Sequence, residues 1–116
     1  MEFNEKKGIY LQLAERFIER VLTQNWKTEE RIPSIREMAI EHEVNPNTML
    51  RTYNYLQEMG VIYNKRGLGY FVAPDGLSKA KELKKTAFIN QELPQLIQTM
   101  KLLEMNFEDL KKHLPY

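Results

Sequence analysis

The sequence contains no cysteine, which excludes disulfide bonds, thiolate metal sites and cysteine nucleophiles. It has no run of about 18 apolar residues, and its start, MEFNEKKGIYLQL, lacks the long apolar stretch of a signal peptide. We therefore expect a cytoplasmic protein without a membrane partner. The missing cysteines agree with a reducing compartment but do not require one.

A charge excess is also missing, because the formal net charge is only +1. Residues 1–76 hold 10 Lys/Arg and 11 Asp/Glu and net −1, whereas residues 77–116 hold 7 and 5 and net +2. A basic excess is the usual mark of a nucleic-acid-binding domain. Any positive surface on this chain must therefore come from the segregation of its charges.

Catalytic machinery cannot be found in the sequence. It shows no suitably paired carboxylates, no nucleophile beside a base and no glycine-rich phosphate loop. His42 and His113 stand alone, without a partner at metal or catalytic spacing. We predict no enzyme, no catalytic residue, no metal and no cofactor.

Apolar residues at helical spacing predict three helices in the first half of the chain. Residues 9–23 give one helix with a single buried face. A second helix begins at Ile35, because Ser34 and Glu37 form the S-x-x-E pattern of a capping box. A third follows in EVNPNTMLRTYNYLQEMG, residues 43–60, where Asn45 is a favoured N-cap.

The third helix has two different faces. Proline suits its first position, and Gly60 stands where a left-handed terminating residue is expected. Met49, Tyr53 and Leu56 share one face and predict a core contact. The opposite face is polar and carries a single carboxylate at its far end; its members are Asn47, Arg51, Asn54, Tyr55 and Glu58.

Two β-branched and aromatic runs in VIYNKRGLGYFVA, residues 61–73, predict a β-hairpin with a basic tip. Three helices followed by a hairpin are typical of a winged helix-turn-helix. The predicted fold is mainly α with one small hairpin. It comprises a winged helix-turn-helix domain over 1–76, ended by the turn PDG, and a helical tail over 77–116.

The tail carries an apolar stripe that is interrupted by Pro94, where we expect a kink or a fresh helix start. Asn106 is a candidate cap for a last short helix. Forty residues cannot build an independent core, so we expect the stripe to join two copies in a homodimer. The predicted interface contacts are Leu83, Phe88, Leu96, Met100 and Leu103.

In a winged helix-turn-helix the third helix enters the major groove of DNA. Asn favours adenine and Arg favours guanine in bidentate contacts, so Asn47 and Arg51 are the predicted base readers. Asn45 and Thr48 add hydrogen-bonding groups at the same helix end. Arg36 occupies the first turn of the second helix, where the macrodipole disfavours a cation. Either DNA or an ion pair with a neighbouring glutamate would compensate. Lys65 and Arg66 are DNA contacts or solvated tip residues.

RIPSIREMA, VNPNTMLRTYNYLQEMGVI and GLGYFV together resemble the GntR family of bacterial winged-helix transcription regulators, and more narrowly its short YtrA-like branch. The resemblance covers residues 9–73 in order and spacing. It implies dimers that bind DNA through Arg36, the start of the third helix and the wing tip at Gly67. Glu43 departs from the family, because glycine is usual at this turn.

Two hypotheses follow from these observations. The first is a dimeric, sequence-specific DNA-binding transcription regulator, a repressor that occludes a promoter at a palindromic operator. The alternative is a winged-helix protein–protein adaptor, which the near-zero charge of residues 1–76 would suit. Strong salt dependence of duplex binding would separate them, since it marks phosphate contact. No residue pattern designates a small-molecule effector site.

Overall fold

The computed structural model describes residues 8–116, which fall into two compact units. The first unit runs to Lys84 and the second starts at Lys85. Within the described residues, no helix has both the length and the apolar character needed to cross a membrane.

Three helices build the core of the first unit: α1 (Ile9–Leu22), α2 (Ile35–Glu41) and α3 (Pro46–Glu58). They are the helices that the apolar spacing predicted. Their inward faces meet in one cluster around Phe17, Met38 and Tyr53, each of which is fully buried. Met49 and Leu56 join it from α3, which confirms the predicted core face of that helix.

Local capping fixes where α2 and α3 begin. The backbone N–H of Glu37 donates to the Ser34 hydroxyl at 3.1 Å, and the Ser34 N–H donates to the Glu37 carboxylate at 2.9 Å. The predicted capping box is therefore confirmed. The side-chain oxygen of Asn45 accepts the Asn47 N–H at 2.7 Å, and α3 ends before Gly60, whose φ is +83°. Each boundary follows from residues within a few positions of it.

The hairpin consists of β1 (Ile62–Lys65) and β2 (Gly69–Val72), which pair antiparallel. β2 has a second neighbour that the sequence did not predict. Arg31 bridges Phe71, and the Ile32 N–H donates to the Tyr70 carbonyl at 2.9 Å. The stretch before α2 therefore acts as a short third strand and ties the wing to the helices.

The helix α4 spans Gly76–Ala87, so Ser78 lies inside it. Position 76 needs glycine, because a Cβ there would lie only 2.5 Å from the Val61 carbonyl oxygen. Ala80 is fully buried in the core of the first unit, and the partly buried Leu83 packs against the same core. These contacts explain why the first unit continues to Lys84. A functional division at residue 76 stays a prediction.

In the second unit, a π-helical turn (Phe88–Glu92) leads into α5 (Leu93–Leu102) and then α6 (Phe107–Lys111). Pro94 lies in the first turn of α5. The backbone is helical on both sides of the π-helical turn, at Ala87 and at Leu93, so the interruption expected at Pro94 takes the form of this turn rather than of a separately capped helix start. Asn106 caps α6 by accepting the Asp109 N–H at 2.9 Å, as predicted. None of these three elements has a buried side chain.

Candidate nucleic-acid interface

The N-terminal end of α3 presents a cluster of hydrogen-bonding side chains. Asn45, Asn47 and Arg51 are exposed, and Thr48 is half-buried. Asn47 and Arg51 are four residues apart and so lie one turn apart on the same face. The amide oxygen of Asn45 is occupied by its bond to the Asn47 N–H, whereas the side chain of Asn47 accepts no helix-capping bond. The predicted readers therefore lie together at an accessible helix end.

Arg51 is supported by an aromatic ring from another helix. Its guanidinium carbon lies 4.1 Å from the ring centroid of Tyr10 in α1, a cation–π distance. The Tyr10 ring meets Tyr55 edge-on, with 6.3 Å between centroids. Tyr55 is half-buried and packs against the core, although its spacing placed it on the polar face. Sequence reasoning missed Tyr10 because it lies 41 positions before Arg51.

Arg36 is exposed in the first turn of α2. Two neighbouring glutamates that could form an ion pair with Arg36, Glu37 and Glu41, are engaged elsewhere. Glu37 is held in the capping box, where the backbone N–H and hydroxyl of Ser34 keep the pKa of the Glu37 carboxyl below its usual value. Glu41 pairs with Arg20 at 3.6 Å. Within residues 8–116, Arg36 forms no ion pair, so its charge is available to a ligand.

The tip of the wing is the three-residue loop 66–68, closed by the Leu68 N–H donating to the Lys65 carbonyl at 2.8 Å. Gly67 has a φ of +80° and faces open space, so the loop needs glycine there for its backbone conformation. The Lys65 ammonium folds back over the ring of Phe71 at 4.7 Å. Arg66 and Leu68 are the side chains left exposed at the tip.

A further arginine, which the sequence did not predict as a site residue, lies alongside β2 of the wing. The guanidinium of Arg31 lies beside Gly69, whose added Cβ would be 3.2 Å from the Arg31 Nε. Arg31 sits in the short strand against Phe71 and is exposed. A weak signal was present, since Arg31 directly precedes the buried Ile32 in RIPS. The first unit thus carries exposed arginines on α2, on α3 and along the wing, although residues 1–76, which contain all of them, net −1.

Comparison with known proteins shows which family has this fold. No family model matches the chain. It is 34% identical over 109 residues to the HTH-type transcriptional regulator YhcF of Bacillus subtilis (strain 168), covering 94% of this chain and 88% of YhcF. A solved GntR family transcriptional regulator from Listeria monocytogenes superposes with a TM-score of 0.78 at 29% identity, and 95% of each chain is covered. A solved transcriptional regulator of the GntR family from Bacteroides thetaiotaomicron is 38% identical and superposes with a TM-score of 0.75, covering 90% of this chain and 91% of that chain. The chain belongs to the GntR family of transcriptional regulators.

A second relative supports the narrower resemblance to the YtrA-like branch of the family. The HTH-type transcriptional repressor YtrA of Bacillus subtilis (strain 168) is 34% identical over 89 residues, covering 77% of this chain and 68% of YtrA. The predicted fold class is confirmed, and the protein is a DNA-binding transcription regulator rather than an enzyme. Among the residues that the structure describes, no three His, Asp or Glu side chains are grouped as a metal site.

The second unit of this GntR-family regulator exposes most of its predicted interface residues. Phe88, Leu96 and Leu103 are 44%, 40% and 63% exposed, and Met100 is half-buried. Leu83 differs because it lies in the first unit and packs on the core of its own chain. Further apolar side chains are exposed in the second unit and were not among the predicted contacts: Ile89, Ile97, Leu102, Phe107 and Leu114.

Proposed function

We propose that this GntR-family regulator is a homodimeric repressor that binds a palindromic operator and blocks access to a promoter. The exposed polar end of α3 is the observation that carries the proposal. Asn47 and Arg51 read base edges in the major groove, while Asn45 and Thr48 contribute at the same helix end. No chemistry is performed, because occupancy of the site is itself the regulatory event.

Cations around this helix end supply the phosphate contacts. Arg36 has no ion-pair partner within residues 8–116, so an approaching phosphate meets an available guanidinium. At the wing, Arg66 lies next to Gly67, and the missing side chain lets the tip backbone approach a DNA strand closely. Lys65 adds charge beside the tip, where its ammonium lies over the Phe71 ring. These residues position the protein, and α3 determines the sequence that it selects.

Dimerisation through residues 77–116 is supported by the exposed apolar side chains of the tail. The π-helical turn, α5 and α6 bury none of their side chains within the chain. Large apolar side chains left exposed in this number within one short segment are typical of an interaction site. A second copy is the partner we propose, because two modules on a two-fold axis match two half-sites and supply the interface that one small module lacks. The proposed contacts are Leu83, Phe88, Leu96, Met100 and Leu103.

The repressor assignment draws on a named relative. YtrA of Bacillus subtilis is a transcriptional repressor, and it is 34% identical to this chain over 89 residues, which cover 77% of the chain. A dimer seated on a promoter excludes polymerase sterically and needs no further activity. We place the protein in the cytoplasm, where a bacterial regulator of this family meets its DNA.

DNA recognition is tested by selecting duplexes from a random pool and measuring affinity for the selected palindrome. We expect Arg51→Ala to relax the preference at one base pair per half-site, and Arg36→Ala to weaken all sequences evenly. Arg16→Ala removes an exposed arginine from α1 and serves as the charge-matched control. Failure to enrich any sequence, or equal affinities for parent and both variants, would contradict the proposal.

Salt titration of the same complex addresses the adaptor alternative. A protein making 6–10 phosphate contacts loses about 10³–10⁵ in affinity between 50 and 200 mM salt. We expect a steep loss for the parent and a shallower slope for Arg36→Ala. A flat response would favour the adaptor instead.

The dimer is tested by light scattering after size-exclusion chromatography. Leu96→Glu places a charge in the proposed apolar contact and should give monomers that lose the palindrome preference. Gln95→Glu adds the same charge at the neighbouring exposed position and should remain dimeric. A monomeric parent, or identical masses for the two variants, would refute this part of the proposal.

A further inference from the structure

Tyr10 occupies a defined position between α1 and α3. The hydroxyl of the fully buried Thr52 lies 3.2 Å from the Tyr10 carbonyl and 3.0 Å from the Thr48 carbonyl. Its single proton is shared between these two acceptors, and the start of α1 packs directly on α3. The Tyr10 ring is fixed edge-on against Tyr55 and carries the Arg51 guanidinium on its face at 4.1 Å. Backbone and ring are thus both anchored beneath the arginine.

A guanidinium that lies on an aromatic ring has its face covered, while its N–H donors point outward in the plane of the group. Bidentate pairing with guanine O6 and N7 uses those in-plane donors and leaves the faces unused. The stack therefore occupies the part of Arg51 that base recognition does not need. It also reduces the rotamer freedom that a long side chain loses on binding.

We propose that Tyr10 is a positioning residue that sets the base specificity of the regulator by holding the Arg51 guanidinium edge-on for a guanine. The inference rests on the proposed function, in which Arg51 reads a base. It adds that recognition depends on α1 as well as on α3, and that Tyr10 itself touches no base. The π face of Tyr10 is the required feature, since its hydroxyl takes no part in the stack.

The two substitutions at this position separate packing from positioning. Tyr10→Phe keeps the ring and its face, whereas Tyr10→Leu keeps apolar bulk but removes the π system. An exposed cation–π pair is worth about a two- to fivefold change in an equilibrium constant. Tyr10→Leu should therefore lower the preference at the base pair read by Arg51 about two- to fivefold, and Tyr10→Phe should leave that preference unchanged.

The experiment uses the full chain and the duplex selected by the parent from a random pool. Affinities are measured by fluorescence anisotropy for that duplex and for its single base-pair variants. Each Tyr10 substitution is tested alone and in combination with Arg51→Ala. Thermal unfolding of every variant sets a temperature at which all of them are folded. We expect Tyr10→Leu to have no further effect once Arg51 is alanine, because the partner that it positions is gone.

The outcomes distinguish this inference from the function on which it rests. If Arg51→Ala relaxes one base pair but Tyr10→Leu weakens all sequences evenly, Tyr10 is only structural and the inference falls alone. A sharper preference in Tyr10→Leu would show that the stack holds Arg51 away from DNA, and would overturn it too. If Arg51→Ala leaves every preference intact, the base-reading role of Arg51 fails, and this inference fails with it.

Discussion

Removal of one buried hydroxyl tests how the helix-turn-helix is held together. Tyr53 is fully buried, and its phenol donates to the Pro33 carbonyl at 2.6 Å. This bond connects the middle of α3 to the residue just before the Ser34 cap of α2. Tyr53→Phe keeps the ring contacts with Phe17 and Tyr70 but leaves the carbonyl without this donor.

The expected cost follows from the burial of the unpaired group. Losing one partner of a buried hydrogen bond costs about 1–3 kcal/mol. One kcal/mol corresponds to a change in Tm of roughly 4–8 °C for a domain of this size class. We therefore expect Tyr53→Phe to lower the free energy of unfolding by about 1–2 kcal/mol at pH 7.

The same site predicts a pH dependence with a definite sign. Burial, followed by the nearby carboxylate of Glu37, raises the pKa of the Tyr53 phenol well above its usual value. Above pH 10 the unfolded chain releases this proton and the folded chain keeps it, so the parent loses stability as the pH rises. By pH 11 the loss amounts to about 1.4 kcal/mol relative to pH 8 for an unfolded pKa of about 10. Tyr53→Phe has no such loss.

The assay is urea unfolding followed by the fluorescence of Trp26, the single tryptophan, which is 4% exposed. Parent and variant are compared at equal protein concentration from pH 7 to 11, because the proposed dimerisation would make stability concentration-dependent. Tyr116→Phe is the control, since Tyr116 is 98% exposed. The two curves should converge near pH 11. Equal midpoints at pH 7, or a difference that stays constant to pH 11, would refute the reasoning.

Three further predictions concern backbone positions around the site. Ser34→Ala should lower the free energy of unfolding by about 1 kcal/mol, as measured by urea unfolding. Because the pKa of Glu37 is lowered in the folded chain, the parent should also lose stability as the pH falls below 4.5. The same acid profile in the variant would argue against the capping box. Glu43 has a φ of +53°, so Glu43→Gly should raise stability by about 0.5–1 kcal/mol, with a lower Tm in the variant as the contrary result. Gly76→Ala places a Cβ against a backbone oxygen and should lower the free energy of unfolding by at least about 2 kcal/mol. Gly67→Ala meets no neighbouring atom and is strained only by its positive φ, so it should cost about 1 kcal/mol. The reverse order in thermal unfolding would contradict the packing described here.

Features encoded by neighbouring residues were predictable from the sequence. The periodic apolar residues of α1, the capping box at Ser34, the start of α3 at Asn45 and the turn at Gly60 all depend on residues within one or two turns. The same holds for the hairpin and for the cap at Asn106. The exposed positions of Asn47, Arg36 and Arg66 follow directly from these elements.

Features created by contacts between distant segments were not predictable. The bridge between Arg31 and Phe71 joins residues 40 positions apart, and nothing in QNWKTEERIP marks a strand. The stack of Tyr10 on Arg51 is equally remote and left no local pattern. The requirement for glycine at position 76, where α4 begins, comes from the nearby Val61 carbonyl, a packing constraint that local sequence does not contain. In each case, tertiary packing overrode the local signal.

The bond that begins α3 also limits how Asn45 contributes to the proposed DNA contact. The Asn45 oxygen accepts the Asn47 N–H at 2.7 Å, so one of its two lone pairs is used inside the protein and the side chain is held against the helix start. Asn47 accepts no helix-capping bond, and its amide keeps both lone pairs for the donor-and-acceptor pair that marks adenine. In the proposed complex we therefore expect Asn47, rather than Asn45, to be the adenine reader.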